Sequence, residues 1–199
     1  IGLDLRQPWC EVAEITPSGA LDEFERKLVR NDYPLLCMWE MGIRRLRVPL
    51  QDVMNPLVRD RMTLLAAGGA QFTVYSFELP NKAALEVLAQ NSDVVHALEI
   101  VLNWGVHEPV LESLATVHGT LGIPTRISKL RSKDDMTADG SQYYHTINHG
   151  FRLNESEQVT EMLGDVRFKD AIDGIVWRCE IDDDPVQAVA DAGALATEL

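Results

Sequence analysis

The sequence predicts an α/β protein built on parallel strand and helix repeats. Three observations carry that prediction. Short strand-like runs recur ahead of helical stretches, proline beside asparagine or an acidic residue stands at several helix starts, and glycine or asparagine closes most of the helices. Strands that alternate with helices imply a parallel sheet, because parallel neighbours need a crossover and that crossover is right-handed.

The elements follow in chain order. Leu3–Leu5 and Glu11–Ile15 are strand candidates, and a helix over Leu21–Arg30, with Ser18 near its cap, fits after them. Leu35–Trp39 reads as a strand, or, taken as Leu35–Met41 before Gly42, as a short helix; periodicity does not separate the two. Arg45–Leu50 is the next strand. Asn55-Pro56 then has the form of an N-cap with proline at the first helical position, where its missing N–H costs nothing. That helix carries Leu57, Val58, Met62, Leu64 and Leu65 mostly on one stripe and stops at Gly68-Gly69. Gln71–Phe77 is a strand, followed by a helix opened by Pro80 with Ala84, Leu85, Leu88 and Ala89 inward and Asn91-Ser92 at its end. Val95–Leu102 precedes a helix from Glu108-Pro109 through Leu111, Leu114, Val117 and Leu121 to Gly122. Thr125–Leu130 and Gly174–Ile181 complete the firm strands. Asn154 with Glu157 has capping-box spacing, and Asp184-Pro185 opens the last helix.

The polar pattern of the strands bears on closure. Leu98, Ile100 and Leu102 alternate with a set containing Glu99 and Asn103, and Leu46, Val48 and Leu50 alternate with Arg45, Arg47 and Gln51. An open sheet covered on both faces has strands that are apolar throughout, whereas a barrel interior holds polar groups near its mouth. In general outline the chain therefore resembles a TIM barrel, short or incomplete because five firm units fall below the usual eight. The alternative is an open doubly wound sheet. On this reading residues 1–41 pack on or complete the barrel and residues 42–199 form it, as one structural domain. A short barrel leaves sheet edges to cover, so a homodimer or a covering N-terminal domain is expected.

Composition narrows the function classes. The 199 residues are 46 % apolar and 25 % charged, as in a globular domain. With 18 Lys+Arg against 31 Asp+Glu the net charge is −13, which repels nucleic acid and anionic membrane alike. No apolar run reaches a membrane span and no signal-peptide layout opens the chain. Three cysteines, Cys10, Cys37 and Cys179, have no CxxC spacing and read as reduced core residues of a cytoplasmic protein. The start at Ile1 suggests an excised segment. No G-x-G-x-x-G follows a strand and no P-loop motif occurs, so nucleotide-binding folds are disfavoured, and no cofactor is implied.

In a parallel α/β fold ligands meet the carboxyl ends of the strands. Basic residues gather near strands on an otherwise acidic chain. Arg47, Arg126 and Arg178 are the expected anion holders, with Glu180, Asn103 and His145 as further substrate-binding candidates, because guanidinium forks bind carboxylate or phosphate through paired hydrogen bonds. Glu99 and His149 are the candidate proton carriers, and Lys129 is a possible Schiff-base lysine. The structural alternative is that the arginines pair with Glu78, Glu99 and Glu180 in a buried ion network. The long interval Arg131–Leu153 reads either as a lid carrying His145 and His149 or as a further strand over Tyr143–Leu153. No H-x-H or H-E-x-x-H occurs, so no metal ligand is assigned; Ser76 and Ser128 lack a nucleophile-elbow setting. Two functions follow. One is binding, and acid/base transformation, of a small phosphorylated or carboxylated metabolite by a lyase, isomerase or hydrolase. The other is a non-catalytic structural or regulatory domain of a larger protein whose catalytic part precedes residue 1.

Overall fold

The structure is a computed structural model that describes residues 2–5, 9–10, 12–14, 28–30, 33–103, 108–131, 149–169, 171–180 and 182–198. Its first elements are β1 (Gly2–Asp4), β2 (Val12–Glu14), β3 (Leu28–Arg30), α1 (Tyr33–Glu40), β4 (Arg45–Pro49), α2 (Leu50–Met54) and α3 (Pro56–Ala67). There follow β5 (Gln71–Phe77), α4 (Lys82–Gln90), β6 (Val95–Leu102), α5 (Glu108–Leu121), β7 (Thr125–Lys129) and β8 (Phe151–Arg152). After a 3-10 turn at Leu153–Glu155 come α6 (Ser156–Leu163), α7 (Val166–Lys169), β9 (Gly174–Ile175), β10 (Trp177–Arg178) and α8 (Pro185–Glu198).

Six strands form a sheet in the order β1-β4-β5-β6-β7-β9. The pairs β1 with β4, β6 with β7, and β7 with β9 are parallel, placing Glu99 beside Arg126 and Arg126 beside Gly174. β8 pairs with β10 in parallel, and β2 with β3 in an antiparallel ribbon. The chain is thus α/β, with a mostly parallel six-stranded sheet alternating with helices.

The expected barrel is short or incomplete, and no closed barrel is found among the described residues. The doubly wound alternative does not match the strand order, since that fold reverses direction at a switch point and this sheet follows the chain without reversal. The polar positions that suggested an open interior have another cause. In β6 every residue from Ala97 to Leu102 is buried, and Glu99, at 1 % exposure, is among them. A carboxylate is tolerated there because a side chain answers it, as described below.

Two compact units divide the chain at residues 74 and 75, inside β5. In the first, Leu46 and Val48 of β4, Val53 of α2, Met62 of α3, and Phe72 and Val74 of β5 are buried, and Trp9 stacks on Phe72 at 6.2 Å. Alternation along β4 and β5 sets their buried positions two apart. The indole N–H of Trp9 donates to Asp52 Oδ2 at 2.7 Å. Burial raises the Asp52 carboxyl above its usual range, and the Trp9 hydrogen bond only partly offsets this. α3 starts where Asn55 accepts the Leu57 N–H and Pro56 takes the first helical position. α1 settles the strand-or-helix choice, and Trp39 at its end packs where a Gly68 side chain would stand, so the residue closing α3 must lack a Cβ. The Arg44 guanidinium lies 3.6 Å from the Trp39 ring centroid. Arg47 pairs with Asp4 across β4 and β1. The helix expected over Leu21–Arg30 is corrected at its end, where Leu28–Arg30 pairs as a strand; residues 21–27 lie outside the described residues.

The second unit is centred on Leu98, Ile100 and Leu102 of β6, Ile127 of β7, Leu114 of α5, Phe151 of β8 and Val159 of α6. Its caps differ slightly from expectation. Pro80 is buried ahead of α4, and the cap is Asn81, whose Oδ1 accepts the Ala84 N–H at 3.0 Å. Asp184 caps α8 through the Val186 N–H. Gly122, at φ 62, ends α5 in the left-handed conformation that glycine adopts without strain. The single strand expected over Gly174–Ile181 breaks at Val176: its N–H bonds Ile127 O while its carbonyl accepts from Phe151, so the segment changes partners. The core reading of the cysteines is also corrected. Cys10 is half-buried, and Cys37 and Cys179 are exposed.

Candidate functional site

β6 and β7 lie side by side, so Glu99, Arg126 and Ser128 share one sheet face by register and alternation. His149 enters from the next segment, bridging Leu130 in antiparallel fashion. Its Nδ1 lies 2.8 Å from Glu99 Oε1 and 3.2 Å from Ser128 Oγ. In the tautomer with the proton on Nδ1, the ring donates to the Glu99 carboxylate oxygen, and Ser128 is the longer second contact. Both partners are enclosed, with side-chain exposures of 1 % for Glu99 and 4 % for His149. Tyr75 and Phe77 flank the imidazole with ring centroids at 5.6 and 6.1 Å. A serine triad would set carboxylate and serine on opposite ring nitrogens; here both address Nδ1, so Ser128 is not a triad nucleophile.

A second cluster occupies the carboxyl ends of β7 and β8. Glu155, at the end of the 3-10 turn, accepts from Lys129 Nζ at 2.7 Å, from Arg131 Nη1 at 2.8 and 2.9 Å, and from the Arg152 backbone N–H at 2.8 Å. Lys129 also donates to Gln158 Oε1 at 3.2 Å. Burial alone would raise the Glu155 carboxyl, but the hydrogen bonds from Lys129, the Arg152 backbone and Arg131, with the Arg131 charge, hold it below its usual range. The capping carboxylate of this turn is therefore Glu155, not the expected Glu157.

A third carboxylate completes the group. Glu180 accepts from Arg152 Nε at 2.6 Å and from Arg178 Nη2 at 2.9 Å, using one oxygen for each. Arg152 and Arg178 are opposed on β8 and β10. Their approach depends on Gly150, at φ 113, because a Cβ there would stand 2.8 Å from the Arg178 Cβ. Gly150 also donates to the Lys129 carbonyl at 2.9 Å, so it links the cluster to His149, its neighbour in the chain. Four cationic side chains, Lys129, Arg131, Arg152 and Arg178, thus meet two carboxylates. Arg131 Nε and Arg178 Nη1 are buried and have no hydrogen-bond partner among the described residues.

Nearby strand ends add two features. Glu78, just past β5, takes the left-handed conformation at φ 70 and is exposed; its N–H donates to Val101 O at 3.1 Å. Such strain on a non-glycine residue is uncommon and concentrates at functional sites. Asn103 follows the end of β6 and is exposed.

The structure unites some expected site residues and separates others. Glu99 and His149 are joined directly, and Arg178 with Glu180. Arg126 stands at the start of β7 beside Gly174, whereas Arg178 lies at the end of β10, so the two are not brought to one point. Arg126 is half-buried, and its side chain makes no hydrogen bond or ion pair among the described residues. Arg47 belongs to the first unit. Lys129 serves the Glu155 hub. His145 and most of the interval 131–153 lie outside the described residues. Sequence reasoning missed Arg152, Glu155 and Gln158; the three-residue spacing of Arg152 and Glu155 ahead of a helix was the available signal. Among the described residues no group of three or more His, Cys, Asp or Glu side chains is placed to hold a metal ion, and no helix is long and apolar enough to cross a membrane. Compared with family models, curated proteins and solved structures, the chain matches none of them.

Proposed function

We propose that the second unit binds a small anionic molecule at the carboxyl ends of β7, β8 and β10, with the Glu99 and His149 pair beside it for proton transfer. Two buried donors without a partner among the described residues, Arg131 Nε and Arg178 Nη1, carry this reading. A buried N–H without a partner costs about 1–3 kcal/mol, and an oxygen of a bound anion reaching Arg131 Nε or Arg178 Nη1 would remove that cost. A carboxylate accepting from Nδ1 fixes the tautomer in which Nε2 is the basic nitrogen, the form a general base needs. The reaction class in this reading is that of a lyase, isomerase or hydrolase acting on a phosphorylated or carboxylated metabolite.

The coarser architecture carries finer expectations. Strands added in chain order support a barrel-like wall, short of full closure. β1, whose three residues are all exposed, supports a covering partner at that edge, a second copy or a further domain. Exposed Cys37 and Cys179, neither in a disulfide among the described residues, support a cytoplasmic setting.

The test is a thermal-shift titration with phosphate, succinate and citrate at constant ionic strength. A ligand at a hundred times its Kd adds about 2.7 kcal/mol, a plain rise in midpoint, and Arg178→Ala removes the response. Equal midpoints with every anion overturn the proposal. A second reading is favoured by the closed ion pairs of Glu99 and Glu180: a non-catalytic domain whose charges are structural. That reading predicts the flat result.

A further inference from the structure

We infer that the ligand of this site is anchored by a carboxylate, and that Glu180 holds the ligand's place until it arrives. The inference rests on the anion-site reading above and names its ligand class. Glu180 spans two arginines with its two oxygens, at 2.6 Å from Arg152 Nε and 2.9 Å from Arg178 Nη2, so the gap between the guanidiniums fits one planar carboxylate. Arg178 Nη1 remains buried beside this contact without a partner among the described residues, so Arg178 offers a donor that Glu180 does not take up.

The two glutamates of the cluster differ in how they are held. Glu155 is bound at both oxygens by three residues and sits at the start of α6. Glu180 lies beyond the end of β10, next to exposed Cys179 and ahead of exposed Asp182, Asp183 and Asp184. Its backbone is fixed separately, its N–H donating to Asp183 Oδ2 at 2.7 Å and its carbonyl accepting from the Asp183 N–H at 3.2 Å. The side chain can therefore rotate away from the arginines into solvent while the turn stays in place. A carboxylate arriving from solution replaces one ion pair with another and meets an extra donor. The cost of displacing Glu180 weakens its apparent affinity by the fraction of time that the arginines stand free.

The test is chemical rescue. Glu180→Ala leaves a gap of carboxylate size between two cations, so its melting midpoint falls below wild type, and acetate or propionate restores most of the loss in a saturable way. Chloride at the same ionic strength does not, and Arg178→Ala in the same chain abolishes the rescue. Where Glu180→Ala does not fold, isosteric Glu180→Gln serves. Should Glu180 occupy the arginines nine-tenths of the time, succinate binds this variant about tenfold more tightly than wild type. Rescue by phosphate but not by carboxylates overturns the carboxylate class. Wild type that responds to anions, with variants showing neither rescue nor tighter binding, overturns the role of Glu180 and leaves the anion site standing. No response in any form of the protein overturns both.

Discussion

Arg47 in β4 and Glu99 in β6 look alike in sequence: each is a charged residue set between two apolar neighbours. Their surroundings differ. Arg47 retains 18 % side-chain exposure and meets Asp4, itself 30 % exposed, next to the outermost strand. Glu99 retains 1 % and meets a histidine as enclosed as itself. A charge beside the sheet edge is partly solvated and its pairing is optional; a charge at the sheet centre is tolerable only with a partner. The same pattern of letters thus marks a surface in one strand and a committed interior contact in the other.

The largest effect expected from this contrast comes from Glu99→Ala, which removes the carboxylate from an enclosed pair with His149. Breaking an enclosed pair from one side costs about 3–5 kcal/mol, read as a drop in the urea midpoint. Replacing both partners, with Glu99→Met and His149→Phe, recovers much of that loss, since apolar packing can substitute for a buried pair. A Glu99→Ala variant as stable as wild type would put Glu99 in the same class as Arg47.

An intermediate effect, dependent on pH, comes from Glu155. Its folded-state carboxyl lies below the usual 4.5. The stability it contributes is therefore fully present above that value and is lost as pH falls through the lower folded value. Glu155→Gln costs about 1–3 kcal/mol at neutral pH and flattens the acid limb of the stability profile. Unfolding curves at pH 7 and across pH 2–5 measure both, and an unchanged acid limb would mean that the hub does not distinguish folded from unfolded chain. Smallest is Arg47→Ala, with a loss below about 1 kcal/mol that shrinks further in salt. A loss comparable to that of Glu99→Ala would remove the distinction between the two strands.

The contrast also explains what the sequence disclosed. Strand boundaries at Gln71–Phe77 and Val95–Leu102 and the caps at Asn55 and Asp184 were legible because alternation and capping are local properties. Glu99 and His149 were legible as candidates, being polar groups in apolar settings, but their contact spans fifty positions and no spacing rule reaches that far. Glu155 was missed because its partners come from β7, the stretch after it and β8, and only one of them, Arg152, is near it in sequence. The expected trio of Arg47, Arg126 and Arg178 rested on charge type alone. Like charges were grouped by type, whereas register decides which end of a strand each one occupies.

The order of strands within the sheet has a consequence for how the chain is made. Each of β4, β5, β6 and β7 finds its neighbour among strands already synthesised, so the sheet can lengthen along one edge as the polypeptide emerges from the ribosome. β6 and β7 join across a single helix, with Leu98 beside Thr125, while β7 and β9 join across the longer span from Arg126 to Gly174. Because loop closure precedes the reward of pairing, docking of β9 is the late step of assembly. The arginine cluster, which needs β10 to follow β9, is then completed last.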